Sequence, residues 1–127
     1  MIKRFMIFVV AVVALMIWVE DWASSGKMDA FIEQHEHPKM TPRLIFFIGE
    51  ACHTAQSAGN ASRYFEWVIQ KYPNKSFIPK ARFHLAMSYE ELGDRRKAME
   101  QYIVLKDSYT HTSYGRTAMR KWELSRY

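Results

Sequence analysis

The chain begins with an apolar block and then alternates apolar and polar positions at helical spacing. Residues 5–19 form an unbroken apolar run of fifteen residues, preceded by Lys3 and Arg4 and closed by Glu20 and Asp21. That is long for the core of a signal peptide and short beside the ~20 residues of a typical spanning helix. Trp18 and Trp22 suit the aromatic belt of a membrane interface. A cleavage site wants small residues at −3 and −1; the nearest stretch, Asp21-Trp22-Ala23, has an aspartate at −3. We read residues 1–23 as an uncleaved signal-anchor or transmembrane helix, the alternatives being a cleaved signal and a buried globular helix. The basic residues before the run place the N-terminus in the cytoplasm and the remainder across the membrane, as expected of a single-pass inner-membrane protein. Residues 24–41 form a linker: Ser24-Ser25-Gly26-Lys27 is flexible in composition, and residues 28–37 form one short amphipathic helix with Met28, Phe31 and Ile32 on one face. Pro38 and Pro42 break it.

From residue 42 onward the pattern repeats at an offset of 37. Ala61 falls on Ala98, Phe65 on Tyr102, Val68 on Leu105, Tyr72 on Tyr109, Phe77 on Tyr114 and Ala81 on Ala118. Small residues meet small ones and aromatics meet aromatics, which points to stacked helical repeats. The spacing predicts helices over residues 42–58, 61–71 and 114 to the end, with two more that follow Ser76 and Asp94 and end at Leu92 and Asp107. Thr41-Pro42, Ser76, Asp94 and Ser113 are the expected N-terminal signals, and Gly59-Asn60 and Gly93 the turns. Leu85, Tyr89 and Leu92, like Ala98, Tyr102 and Leu105, stand at i, i+4 and i+7. Ala81, Ala86 and Ala98 mark expected close helix crossings.

Composition adds few constraints. About half of the residues are hydrophobic (49%), and there are only five glycines and four prolines, which argues for an ordered helical chain. The net charge of +5 is dispersed: Arg95, Arg96 and Lys97 are interleaved with Glu90, Glu91, Asp94 and Glu100. No basic stripe set with aromatics points to nucleic acid. The lone Cys52 forms no internal disulfide and is expected as a small buried thiol. His35 and His37 are two residues apart, which puts them on different helix faces, so a solvated linker is expected there rather than a metal site. His84 and His111 read as isolated. No phosphate-cradling glycine loop and no nucleophile–base pair stands out. The expectation is a non-catalytic protein without cofactor, metal or small-molecule substrate.

The string Ala81-x3-Leu85-Ala86-x2-Tyr89-x3-Gly93-Asp94-x3-Ala98-x3-Tyr102-x6-Tyr109 resembles the tetratricopeptide repeat (TPR). Tyr72-Pro73, Ser76 and Ala81 are similar to the variety found in bacterial envelope proteins of the β-barrel assembly and Tol–Pal systems. The resemblance covers residues 42–127. The first repeat departs from it, with Cys52 in the tyrosine position and Gln56 in that of the turn glycine; Thr110 replaces the proline after Tyr109. It implies an all-α, right-handed, TPR-like solenoid of about two repeats plus a closing helix. It also implies a concave groove, presenting Arg43, Phe46, Glu50 and His53 from the first helix of one repeat and Lys80, Phe83, Met87 and Glu90 from that of the next. Such a groove grips a protein partner; the alternative for Phe46, Phe83 and Met87 is an ordinary core or a cover formed by residues 28–37. The expected function is that of a protein-interaction subunit of a membrane complex, on the extracytoplasmic side and with homo-oligomers possible. The alternative is a soluble or loosely tethered periplasmic adaptor.

Overall fold

The computed structural model describes residues 1–24 and 26–126, without the side chains of Glu20, Ala23 and Ser24. Among them the chain is all-helical, with no strand: α1 (Ile2–Ser24), α2 (Lys27–Gln34), α3 (Met40–Thr54), α4 (Ala58–Lys71), α5 (Ile78–Glu91), α6 (Arg95–Ser108) and α7 (Ser113–Ser125). It separates into two compact units, Met1–His37 and Pro38–Tyr127.

In the first unit, α1 runs straight through Glu20 and Asp21. Acidic residues are adequate helix formers, so the charge ends the apolar stretch without ending the helix. Its 23 residues extend about 35 Å at 1.5 Å each. The Ile2–Val19 portion has a mean hydropathy of 2.3 and none of it is buried, so α1 is long and apolar enough to cross a membrane. The Trp18 and Trp22 rings, one turn apart, stack at 5.9 Å. Gly26 at φ +79° ends α1's direction and starts α2, while Ser25 of the expected linker lies outside the described residues. Within α2, Ile32 is buried and Met28 half-buried, but Phe31 is exposed and rests on His35 with ring centroids 4.4 Å apart. The face expected to hold all three apolar residues therefore holds two.

The second unit is a run of helices in which each packs on the next, and α5 also touches α3 and α7. The turns α3–α4 and α5–α6 are three residues long, which makes each pair antiparallel. The helix bounds carry the 37-residue period further than the side-chain pattern does. Ala58 and Arg95 begin α4 and α6, Lys71 and Ser108 end them, and Thr54 and Glu91 end α3 and α5. The C-terminal turns match bond for bond. Gln56 N–H donates to His53 O and Ser57 N–H to Cys52 O (3.1 and 2.8 Å); Gly93 N–H donates to Glu90 O and Asp94 N–H to Tyr89 O (3.0 and 2.9 Å). Gly93 takes the left-handed conformation at φ +79°, and Gln56 takes it too, at φ +61°.

That corrects the expected first turn. Gln56 is the turn residue despite its Cβ, and Gly59 lies inside α4, which starts at Ala58. A left-handed non-glycine residue costs roughly 1–2 kcal/mol, and the packing that follows overrides it. Three helix starts also move. α3 begins at Met40, so Thr41 and Pro42 lie buried in its first turn. α5 begins at Ile78, with Pro79 in its first turn and no side-chain cap from Ser76. Thr112, not Ser113, caps α7: its Oγ1 accepts the Gly115 N–H at 3.0 Å. Asp94 caps α6 as expected, accepting the Lys97 N–H at 3.1 Å.

The core is the stack of inward faces: Ile45, Tyr64, Phe65, Val68, Ile78, Leu85, Tyr102 and Leu105 are all sealed from solvent. Burying each such side chain contributes about 1.5–3 kcal/mol. Ala61, Ala81, Ala86, Ala98 and Ala118 are buried where helices cross. Gly49 marks a close crossing, since a Cβ there would stand 2.8 Å from the Phe65 ring; a Cβ at Gly115, in the first turn of α7, would press harder still, on the Tyr109 carbonyl.

Candidate functional site

The eight residues expected to line a groove lie on α3 and α5, whose facing surfaces meet. Lys80 Nζ reaches Glu50 Oε1 at 3.0 Å and stands 5.8 Å above the Phe46 ring. The Glu50 carboxylate hydrogen-bonds the Lys80 ammonium and, by that bond first and its charge second, raises the lysine's pKa. Phe46 is half-buried: it stacks on Phe77 at 4.7 Å and tilts against Phe65 at 6.1 Å. His53 stacks on His84 at 5.3 Å. Glu90 pairs with Lys121 of α7 at 3.5 Å. Arg43 is exposed, and Met87 is half-buried.

The ring contacts recur one repeat later. Phe83 meets Tyr114 at 5.5 Å and Tyr102 at 6.0 Å, at the positions where Phe46 meets Phe77 and Phe65. Lys121 lies 5.1 Å above the Tyr102 ring, as His84 lies against Phe65 at 5.8 Å. Glu90 and Lys121 occupy the positions of His53 and His84. Phe46 and Phe83 are thus partly packing residues that also show an edge to solvent, a result between the two readings of the sequence.

Four residues of this surface were not singled out from the sequence as belonging to it: Phe77, His84, Tyr114 and Lys121. His84, read as isolated, is stacked on His53. The 37-residue offset held the signal, because Glu90–Lys121 is a legible opposite-charge pair and His53–His84 is its counterpart. Cys52 is half-buried rather than buried. His35 Nδ1 donates to Phe31 O at 3.0 Å, and the ring lies exposed at the end of α2.

Burial governs the electrostatics. It lowers the His84 pKa below the ordinary histidine value; His53 and Lys80 push the same way and Glu50 opposes them. The Tyr102 hydroxyl is buried near Glu90, outside strict hydrogen-bond geometry, and burial, then the Glu90 charge, pushes that phenol well up. An open cleft of about 240 Å³ lies between α5, α6 and α7, with Glu90, Arg95, Tyr102, Lys121 and Leu124 in its walls. Among the described residues, no three His, Cys, Asp or Glu side chains converge as a metal site would require. The surface offers ring edges and paired charges. No protein-family model matches the chain, and no curated protein matches it at a significant level.

Proposed function

We propose that the protein is a non-catalytic interaction subunit of a membrane complex, anchored by α1 and presenting Pro38–Tyr127 as a short TPR-like array. The observation that carries this is the recurrence of helix bounds, turn hydrogen bonds and ring contacts at one 37-residue interval. A stack of this kind has uncovered ends and an extended face, and its ordinary use is to hold another chain. The face we assign to the partner is that of α3 and α5, around Arg43, Phe46, Glu50, His53, Lys80, Phe83, Met87 and Glu90. Lys3 and Arg4 ahead of the apolar run argue for a cytoplasmic N-terminus and an extracytoplasmic array, and for the inner membrane of a bacterial envelope.

The test is to solubilise native membranes in mild detergent and purify the protein by a C-terminal tag. Partners in fixed stoichiometry, with residues 1–19 intact, support a permanent subunit. A lone chain released without detergent and starting near residue 24 overturns both the anchor and the subunit, leaving a soluble adaptor.

A further inference from the structure

The two layers of the array use one pair of positions in opposite ways. Between α5 and α7 the pair is Glu90 and Lys121, opposite charges 3.5 Å apart. Between α3 and α5 it is His53 and His84, stacked with centroids 5.3 Å apart and planes 24° from parallel. The Nδ1 atoms of both imidazoles are buried, with no hydrogen-bond partner among the described residues. Neutral imidazoles stack favourably. Two imidazolium ions in the same place repel each other and lose hydration that this half-buried junction does not replace.

Charged groups reach this pair from both helices. On α3, Glu50 Oε1 lies 3.7 Å from His84 Nδ1, too far for a hydrogen bond but near enough to favour a proton there. On α5, Lys80 opposes that proton and also engages Glu50 at 3.0 Å, so the carboxylate's charge is shared. α4 contributes the Phe65 ring, edge-on to His84 at 5.8 Å, which supplies neither charge nor acceptor. Burial, His53 and Lys80 together outweigh Glu50, and His84 resists protonation.

We propose that the His53–His84 stack is an acid-released latch between α3 and α5, closed while the His84 ring is neutral and opened by its protonation. The α5–α7 layer stays closed, because a carboxylate and an ammonium do not ordinarily change charge over the interval in which histidine switches, about pH 5 to 8. The sign follows from linkage. The His84 pKa is lower in the folded chain than in the unfolded one. Its contribution to stability is therefore complete above the unfolded value of about 6.5, and it is lost as pH falls from there toward the folded value. Acid would loosen the first layer before the second and would change the face that α3 and α5 present together. The latch is a property of the fold and holds whether or not that face binds a partner.

The experiment is thermal unfolding of the full chain in detergent micelles at about pH 7.5 and about pH 5.5, for the native protein and for the double variant H53E/H84K. That variant copies the pair of the second layer into the first. The native Tm should fall by on the order of 5 °C on acidification, and the double variant's by much less. An equal fall in both overturns the proposal. Should the double variant not fold, imidazole proton resonances of the native chain decide. His84 titrating below the ordinary histidine value, with hydrogen exchange rising in α3 and α4 before α7 as pH drops, supports the latch. His84 titrating at or above that value, or exchange rising first in α7, overturns it.

Discussion

The layer joining α3 and α4 to α5 and the layer joining α5 and α6 to α7 share their shape but differ in chemistry. Their ring clusters superpose in distance: Phe46–Phe65 and Phe83–Tyr102 are 6.1 and 6.0 Å apart. Yet the first layer has Gly49 where the second has Ala86, Gln56 where it has Gly93, Phe65 where it has Tyr102, and the histidine pair where it has Glu90–Lys121. Cys52 stands where Tyr89 donates a hydrogen bond to Glu66. Shape complementarity at the crossings sets the array, and polar groups at its margins vary freely as long as they leave the ring stacking alone. The first layer holds the Glu50–Lys80 ion pair where the second has Met87 and Thr117, and each layer has one approach that needs a glycine, Gly49 in the first and Gly115 in the second. The first also carries the strained turn.

If the rings set the array, their removal is the severest test. Phe65→Ala and Tyr102→Ala should each cost about 3–5 kcal/mol, read as loss of unfolding free energy for the full chain in detergent. A cost under ~1 kcal/mol at either site would show that the two clusters do not share one role. Next come the crossings. Ala98 is 2% exposed, so Ala98→Leu should cost about 1–3 kcal/mol. Gly49→Ala should fall in the same range, because its Cβ would press on the Phe65 ring, whereas Ala86 already fills the matching site.

The turns sharpen the comparison with opposite signs. Gly93→Gln should destabilise by roughly 1–2 kcal/mol, and Gln56→Gly should stabilise by something below that, since strain relief is offset by glycine's extra unfolded-state freedom. Equal destabilisation by both would mean that Gln56 makes contacts worth more than its strain. The smallest effect belongs to the ion pair. Lys121 and Glu90 have side chains 37% and 43% exposed, so Lys121→Ala should cost under about 1 kcal/mol and lose that cost in high salt. The same double variant that tests the latch asks whether the two layers accept each other's polar groups.

Much of this was legible in the chain itself. Helical class, the period and the equivalence of Phe65 with Tyr102 and Phe77 with Tyr114 follow from spacing alone, because helix packing needs apolar residues at fixed intervals. The Asp94 cap was legible too, since a short acceptor just before a helix has one use. The first turn was not. Glycine is the usual signal for a left-handed residue, and Gly59 drew the boundary three residues past Gln56, where tertiary packing forced the turn. Phe31 was placed on the wrong face because an eight-residue helix gives too few turns for periodicity to choose a side.

The functional surface divides the same way. That Phe46, Glu50, Lys80, Phe83 and Glu90 belong to facing helices was an expectation drawn from the TPR resemblance. That Glu50 is spent on Lys80, that Phe46 and Phe83 are half packed away, and that His84 meets His53 rather than standing alone depended on how α5 rotates against α3. The sequence by itself determined which residues each helix offers, an apolar first helix able to cross a membrane, and the interval at which the array repeats. Only the tertiary structure decided which of those residues meet, because partners thirty or more positions apart along the chain become neighbours through close packing, which local periodicity does not encode.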